Sequence, residues 1–261
     1  MFKEYLQGII RDRYILISLI HKDLQLKYKR SVLGIGWAVL TPLGLVLIIG
    51  VVYSILFSMP PKELIPMIFT GLNPWIFMSA SADAGTTALI AAEGYLKQTP
   101  VSPQIFPIRV VAVAFVNLLY SIGTFFVLYL LVRPEVFSFR MLMVIPGLAV
   151  IFLFSLAVAN LTSIINLRIR DYQPLQVLMF QGLFYATPII YKPSMLKEKG
   201  FAFIYEINPF YYMLEIIRQP MTGESLPPAE IYLTALGITG VLFILSILLL
   251  MKHRRKISLY L

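Results

Sequence analysis

Cysteine is absent from all 261 residues, so neither a disulfide nor a cysteine metal site can form. Histidine is nearly absent, with His21 and His253 near opposite ends of the chain. Charge is scarce as well: 13% of residues are Asp, Glu, Lys or Arg against 59% hydrophobic, and none of the four occurs between Arg30 and Lys62. Acid/base or metal catalysis needs converging carboxylates, histidines or a nucleophile with its base, and no such constellation is legible. A phosphate-cradling loop of the form G-x-x-x-x-G-K-[ST] is excluded because no Gly-Lys dipeptide occurs. The sequence therefore carries no catalytic, cofactor-binding or metal motif, and any ATP must be handled by another subunit.

What the chain has instead is a series of uncharged apolar runs, each near the ~20 residues needed to cross a bilayer. The pattern predicts an all-α integral membrane protein with a single transmembrane domain over 1–261. Its expected spans are about 36–59, 64–91, 105–132, 141–165, 175–191 and 229–251. Six spans put both termini on one side, and the basic residues say which. Of 22 Lys and Arg, fifteen fall on the side of the termini and seven on the other. Basic residues in short loops stay in the cytoplasm, which makes both termini cytoplasmic in a multi-pass membrane protein. The formal net charge of +9 thus belongs beside membrane lipids, not nucleic acid. The leader, 1–30, is too polar and charged to contain the apolar region of a signal peptide.

Three segments between the spans stand out. The leader sets Leu16, Leu19, Ile20 and Leu24 on one helical face and Ser18, Lys22, Gln25 and Lys29 on another, as an amphipathic interface helix would. Asp23 and Lys27 intrude on the apolar face, at the i and i+4 spacing of a pair. Such a leader is a topological anchor or a functional element. The second segment, EGYLKQTPVSP from Glu93, has room for one or two helical turns before Pro100 and Pro103 stop them, which makes a short rigid knob or an ordinary loop. The third, 192–228, is long and apolar. Within it 201–220 carries Glu206, Glu215 and Arg218, which disfavour a full crossing, and Asn208-Pro209 divides it. Two short re-entrant helices fit that pattern, with a surface helix as the alternative. Asp83 is the one acid well inside a span, suited to a hydrogen-bonding role within SASADAGTT or to a proton relay.

The segment KDLQLKYKRSVLGIGWAVLTPL resembles the N-terminal signature of membrane subunits of ABC exporters for bacterial cell-surface polysaccharides, of the ABC-2 family. Ser31, Leu33, Gly34, Trp37 and Pro42 match its S-x-L-G-x-x-W-x-x-x-x-P pattern. Two more segments agree: Arg170, Asp171, Thr187, Pro188, Ile189 and Tyr191 in NLRIRDYQPLQVLMFQGLFYATPIIY, and Asn208, Pro209 and Arg218 in INPFYYMLEIIRQP. The likeness runs along nearly the whole chain.

The resemblance implies a homodimer joined to two copies of a cytoplasmic ATPase subunit, which holds the ATP and Mg. Its substrate would be a lipid-linked polysaccharide such as O-antigen, capsule or teichoic acid, sliding outward past aromatic side chains. By the same likeness Tyr95, Leu96, Lys97, Gln98, Thr99 and Pro100 form an ATPase-coupling helix, and Asn208, Pro209, Phe210, Tyr211, Tyr212 and Arg218 belong to an outer gate. Arg168, Arg170 and Asp171 are candidates for the lipid phosphate or ordinary cytoplasmic anchors. Lys22, Lys27, Lys29 and Arg30 on the interface helix compete for that phosphate. Two rival readings remain: a membrane glycan or lipid transferase, for which a catalytic constellation is missing, and a secondary transporter, for which only Asp83 speaks.

Overall fold

The computed structural model describes residues 1–29, 31–223 and 225–261, and every regular element among them is helical. Arg30, one of the four headgroup candidates, lies outside the described residues. The leader folds as two helices, α1 (Phe2–Arg11) and α2 (Arg13–Tyr28), broken at Asp12. The long helices follow the charge-free runs: α3 (Gly36–Phe57), α4 (Pro61–Ala88), α6 (Ile105–Val132), α7 (Val144–Arg168) and α12 (Ala229–His253). With the 3₁₀ turn Phe139–Met143 leading into α7, these are five helices long and apolar enough to cross a membrane.

The segment expected to cross at 175–191 is a shorter helix, α8 (Tyr172–Ala186). Fifteen residues rise only ~22 Å, less than the ~30 Å hydrocarbon layer. It ends where Thr187 turns extended before Pro188, whose ring disfavours a helical residue ahead of it.

Short helices fill the gaps. The expected knob is α5 (Glu93–Gln98), ended by extended Thr99 ahead of Pro100. The loop after α8 carries α9 (Pro193–Glu198), α10 (Phe203–Glu206) and α11 (Pro209–Thr222), and α13 (Ile257–Tyr260) closes the chain. Asn208 separates α10 from α11 and caps the latter, its Oδ1 accepting from the Phe210 amide at 3.0 Å, with Pro209 at the first helical position where no amide partner is needed.

Helix α4 is the hub, packed on α3, α6, α7, α8 and α11. Its companions differ sharply in burial. Helix α3 buries only Val46, Gly50 and Ser54, a stripe at spacing four, and leaves Leu47, Ile48, Val51, Ile55 and Leu56 exposed. That distribution suits a helix facing lipid or a second subunit, since an apolar helix in water would bury a wider face. Polar groups inside the bundle join neighbours: Ser121 of α6 donates to Asn73 Oδ1 of α4 at 2.6 Å, and Asn166 of α7 donates to the Thr86 carbonyl of α4 at 3.0 Å. Groups so bonded escape the cost of a bare dipole in an apolar medium.

Candidate functional site

The second and third sequence motifs meet in space. Beyond α8 the chain runs Thr187-Pro188-Ile189, buried throughout, and α11 reaches over it with two side chains. Asn208 Nδ2 donates to Thr187 Oγ1 at 2.8 Å. Arg218 Nη2 donates to the carbonyls of Pro188 at 2.6 Å and Ile189 at 3.2 Å. The guanidinium also meets Glu215 Oε1 through Nη1 at 3.3 Å, and Gln219 donates to the other carboxylate oxygen at 2.7 Å. Both charged side chains are almost fully buried. Space for Arg218 comes from Gly71 of α4, where a Cβ would collide with Nη2 and sit 3.0 Å from the Ile189 carbonyl. Of the three charges expected to keep 201–220 from crossing, Glu215 and Arg218 are thus each other's partners, and the broken backbone after α8 has its carbonyls satisfied by an arginine 30 residues on. Around this latch Trp75 packs against Phe180, Phe184 and Phe210, at 6.0, 5.7 and 5.3 Å. Of the remaining gate candidates, Tyr212 donates to the Glu206 carbonyl at 2.7 Å, and the Tyr211 ring lies 4.8 Å from that of Tyr205.

The leader is fastened to the loop that follows α5. Arg11 Nη2 donates to the Pro100 carbonyl at 2.8 Å and to Ser102 Oγ at 2.9 Å. Asp12 Oδ2 accepts from the Ser102 amide at 2.7 Å, and Gln104 donates to the Tyr5 carbonyl at 3.1 Å. Burial raises the Tyr5 hydroxyl to about 12, so it stays protonated. At the far end of the chain Arg254 donates to Glu4 at 3.1 Å and lowers that carboxyl's pKa.

Burial by itself would raise the Asp12 pKa, but hydrogen bonds from Arg11 and Ser102 prevail and hold it below the ordinary carboxylate range. A depressed folded-state value stabilises the clamp above the usual Asp pKa and withdraws that support as pH falls through the native one. Asp12→Asn at neutral pH should therefore loosen α1 by about 1–2 kcal/mol, the scale of a buried hydrogen bond to a charged group with allowance for the exposed Arg11. Amide exchange over 2–12 reads the change. Protection equal to wild type at pH 7 would show that the carboxylate does not hold the leader.

The pairing expected of Asp23 with Lys27 is replaced by another. Arg109, the fifth residue of α6, takes Asp23 in a two-pronged bond, Nε at 2.6 Å and Nη2 at 2.5 Å. A planar fork on a carboxylate outcompetes an i,i+4 lysine, which is worth only tenths of a kcal/mol. Lys22 and Lys29 are exposed, while Lys27 borders a cavity of about 410 Å³ between α3, α4 and α6, with Trp37, Pro42 and Asn117. Trp37 donates to Ser31 Oγ at 3.0 Å across a turn in which Gly34 has φ +50°, a conformation that explains glycine at that motif position.

Arg168, Arg170 and Asp171 are exposed at the junction of α7 and α8, with the Arg168 guanidinium 5.4 Å from the Tyr260 ring centre. Asp171 sits just ahead of the first helical residue of α8. The arginines stand near α5 and α13, whereas Lys22 and Lys27 ride on α2, which packs on α6, and Lys29 follows its last residue. In α5, Lys97 pairs with Glu93 at 2.7 Å, Thr99 Oγ1 donates to the Tyr95 carbonyl at 2.7 Å, and the Tyr95 ring lies 6.0 Å from Phe106; Leu96 is half-buried and Gln98 exposed.

A family model described as ABC-2 type transporter matches residues 14–222. The chain belongs to the ABC-2 type transporter family. Curated relatives extend the match over nearly the whole of this ABC-2 chain. Two Klebsiella pneumoniae proteins named O-antigen export system permease protein RfbA are 29% identical over 96% of both chains, and 30% identical over 94% of this chain and 92% of the relative. A Myxococcus xanthus protein of the same name is 27% identical over 95% of this chain and 96% of the relative.

Several residues that build the site carry no motif. Arg11, Asp12 and Ser102 read as ordinary loop and leader polarity, and Glu215 as an obstacle to crossing. The available signal was Gly71, a glycine within an apolar helix.

Proposed function

We propose that this ABC-2 chain is the membrane-spanning subunit of an ATP-driven exporter that moves a lipid-linked cell-surface polysaccharide, of O-antigen type, outward across the cytoplasmic membrane. The observation that carries this reading is the near full-length similarity to three proteins named O-antigen export permeases. Teichoic acid or capsule export by the same mechanism is the neighbouring alternative. In the working complex two copies of this chain stand side by side on two ATPase subunits, which supply ATP and Mg. The excess of basic residues at the termini and beside α5 puts those parts in the cytoplasm. Helix α8 and the extended turn after it complete a sixth crossing, and α10 and α11 form a re-entrant outer gate around Asn208, Pro209, Phe210, Tyr211, Tyr212 and Arg218.

Each remaining segment then has a task. Helix α5, with Tyr95 to Pro100, seats on the ATPase, and the leader, fastened to its loop, moves with it. Arg168 and Arg170 orient the lipid phosphate, since a guanidinium matches phosphate oxygens two at a time, and Lys22, Lys27, Lys29 and Arg30 hold the leader to anionic headgroups. Closure of the ATPases on ATP pushes α5, tilts α4 and α6, and opens the path between the two copies.

The reading is tested by expressing the chain with its ATPase partner in a bacterium deleted for its own O-antigen permease and probing the surface for polysaccharide. Surface display is expected with the active ATPase and none when its catalytic glutamate is replaced. Display that continues with the inactive partner would sink the exporter reading in favour of a secondary transporter.

A further inference from the structure

Among the membrane-crossing helices, the one acid well inside a helix lies on the open face of α4. Asp83 is exposed five residues before Ala88, about 7 Å inside the end of the helix that leads to α5. Facing hydrocarbon is costly for a carboxyl group at that depth, so its exposed position fits a face of α4 that borders water or a polar ligand.

Its surroundings are organised. Ser79, Asp83 and Thr87 are spaced four residues apart and line one face of α4, half-buried, exposed and half-buried in turn. The two hydroxyls donate to carbonyls of their own helix, Ser79 to Ile76 at 3.2 Å and Thr87 to Ala84 at 3.4 Å, so both present their oxygens as acceptors. From α8, Gln176 donates to Asp83 Oδ1 at 3.0 Å. Gln176 is 1% exposed, and its own Oε1 is buried and accepts no hydrogen bond among the described residues. The amide is thereby fixed with its NH₂ toward the carboxylate, leaving Asp83 Oδ2 and the second lone pair of Oδ1 for an outside donor. Tyr172, one turn earlier on the same face of α8, adds a half-buried ring.

We propose that Asp83 is a substrate-contacting residue that accepts hydrogen bonds from sugar hydroxyls of the exported glycan, with Gln176 as its positioning residue and Ser79 and Thr87 extending the acceptor row along α4. The proposal rests on the exporter reading above. A sugar chain offers hydroxyl donors at every unit, so a row of acceptors at helical pitch provides repeated weak holds that let successive units step along. A carboxylate offers two acceptor oxygens, which makes Asp83 the firmest hold in the row, with Ser79 and Thr87 as weaker ones. Asn is the sparing replacement: it keeps the shape and one acceptor oxygen but loses the charge, whereas Leu removes both.

The absence of cysteine makes the first arm of the test direct. Asp83→Cys in the assembled complex is treated with a charged, water-soluble thiol reagent, beside Ile48→Cys on the exposed apolar face of α3. Labelling at position 83 and none at position 48 is expected; a thiol at position 83 that stays unlabelled overturns the proposal. In the second arm, purified complex in nanodiscs is titrated with lipid-linked glycan and ATP hydrolysis is followed. Asp83→Asn should raise the half-maximal glycan concentration roughly tenfold and Asp83→Leu more, the size of one lost charge-assisted bond. Asp83→Glu should stay close to wild type. Gln176→Leu should raise the half-maximal concentration less than Asp83→Leu does, because it disorients the acceptor without deleting it. Unchanged glycan dependence in a monodisperse Asp83→Leu complex overturns the assignment of Asp83 alone. A wild-type complex that no glycan stimulates overturns the exporter reading instead, and the labelling still reports separately whether position 83 faces water.

Discussion

Arg218→Ala is expected to be the most damaging single substitution in the chain, lowering the stability of the detergent-solubilised protein by about 3–5 kcal/mol. The guanidinium serves three acceptors at once, the carbonyls of Pro188 and Ile189 and the carboxylate of Glu215, all within the protein interior. Truncation leaves two backbone dipoles bare and a nearly buried carboxylate with only Gln219 for company. In a chain of this size that is a fall of roughly 6–20 °C in the thermal midpoint. Arg218→Lys should fall between wild type and alanine, since a single ammonium keeps the charge but cannot reproduce the fork. Adding Glu215→Gln to Arg218→Ala should recover part of the loss, because the second change removes the stranded charge. Gly71→Ala should mimic Arg218→Ala from the other side by occupying the guanidinium's space. Additive effects of the Arg218 and Glu215 changes would show that the two side chains do not act as a pair.

This latch also marks where sequence reading succeeds and stops. Asn208-Pro209 announces a helix start by the chemistry of its residues, a side-chain acceptor followed by a ring with no amide to satisfy, and α11 begins there. Pro100 announces the end of α5 in the same way. The long helices follow from charge-free runs whose length matches the bilayer. Partners across the sequence have no such signature. Ser102 lies 90 residues from Asp12, and nothing periodic connects them. Asp23 has a plausible local partner in Lys27, and only the packing of α2 on α6 brings Arg109 within reach. The motifs are visible as residues 187–189, 208 and 218, but that they form one hydrogen-bonded unit depends on the approach of α11 to the turn after α8. The length of α8 is hidden for a related reason: the apolar run continues to Tyr191, and composition masks the helix stop at Thr187-Pro188.

Replacing residues 95–100 by an alternating Gly/Ser stretch is expected to abolish substrate-stimulated ATP hydrolysis in the assembled complex and to cut export by at least about tenfold, while the two kinds of subunit still co-purify. Helix α5 is short, and its rigidity comes from a few identifiable contacts: the Glu93–Lys97 pair, the Thr99 hydroxyl on the Tyr95 carbonyl, and the Tyr95 ring against Phe106. Glycine costs about 1 kcal/mol per helical position relative to alanine, so a run of Gly and Ser leaves no helix to push on. A push on a melted segment is absorbed as local motion and does not reach α4 or α6. Lys97→Ala separates stiffness from charge, because the exposed ion pair is worth less than about 1 kcal/mol and its loss should change coupling little. The clamp adds a second route: Arg11 holds the Pro100 carbonyl, so Arg11→Ala should weaken coupling partially where the Gly/Ser stretch removes it. Stimulation and export that survive the Gly/Ser replacement would show α5 to be a connecting loop and would move the coupling role to the leader.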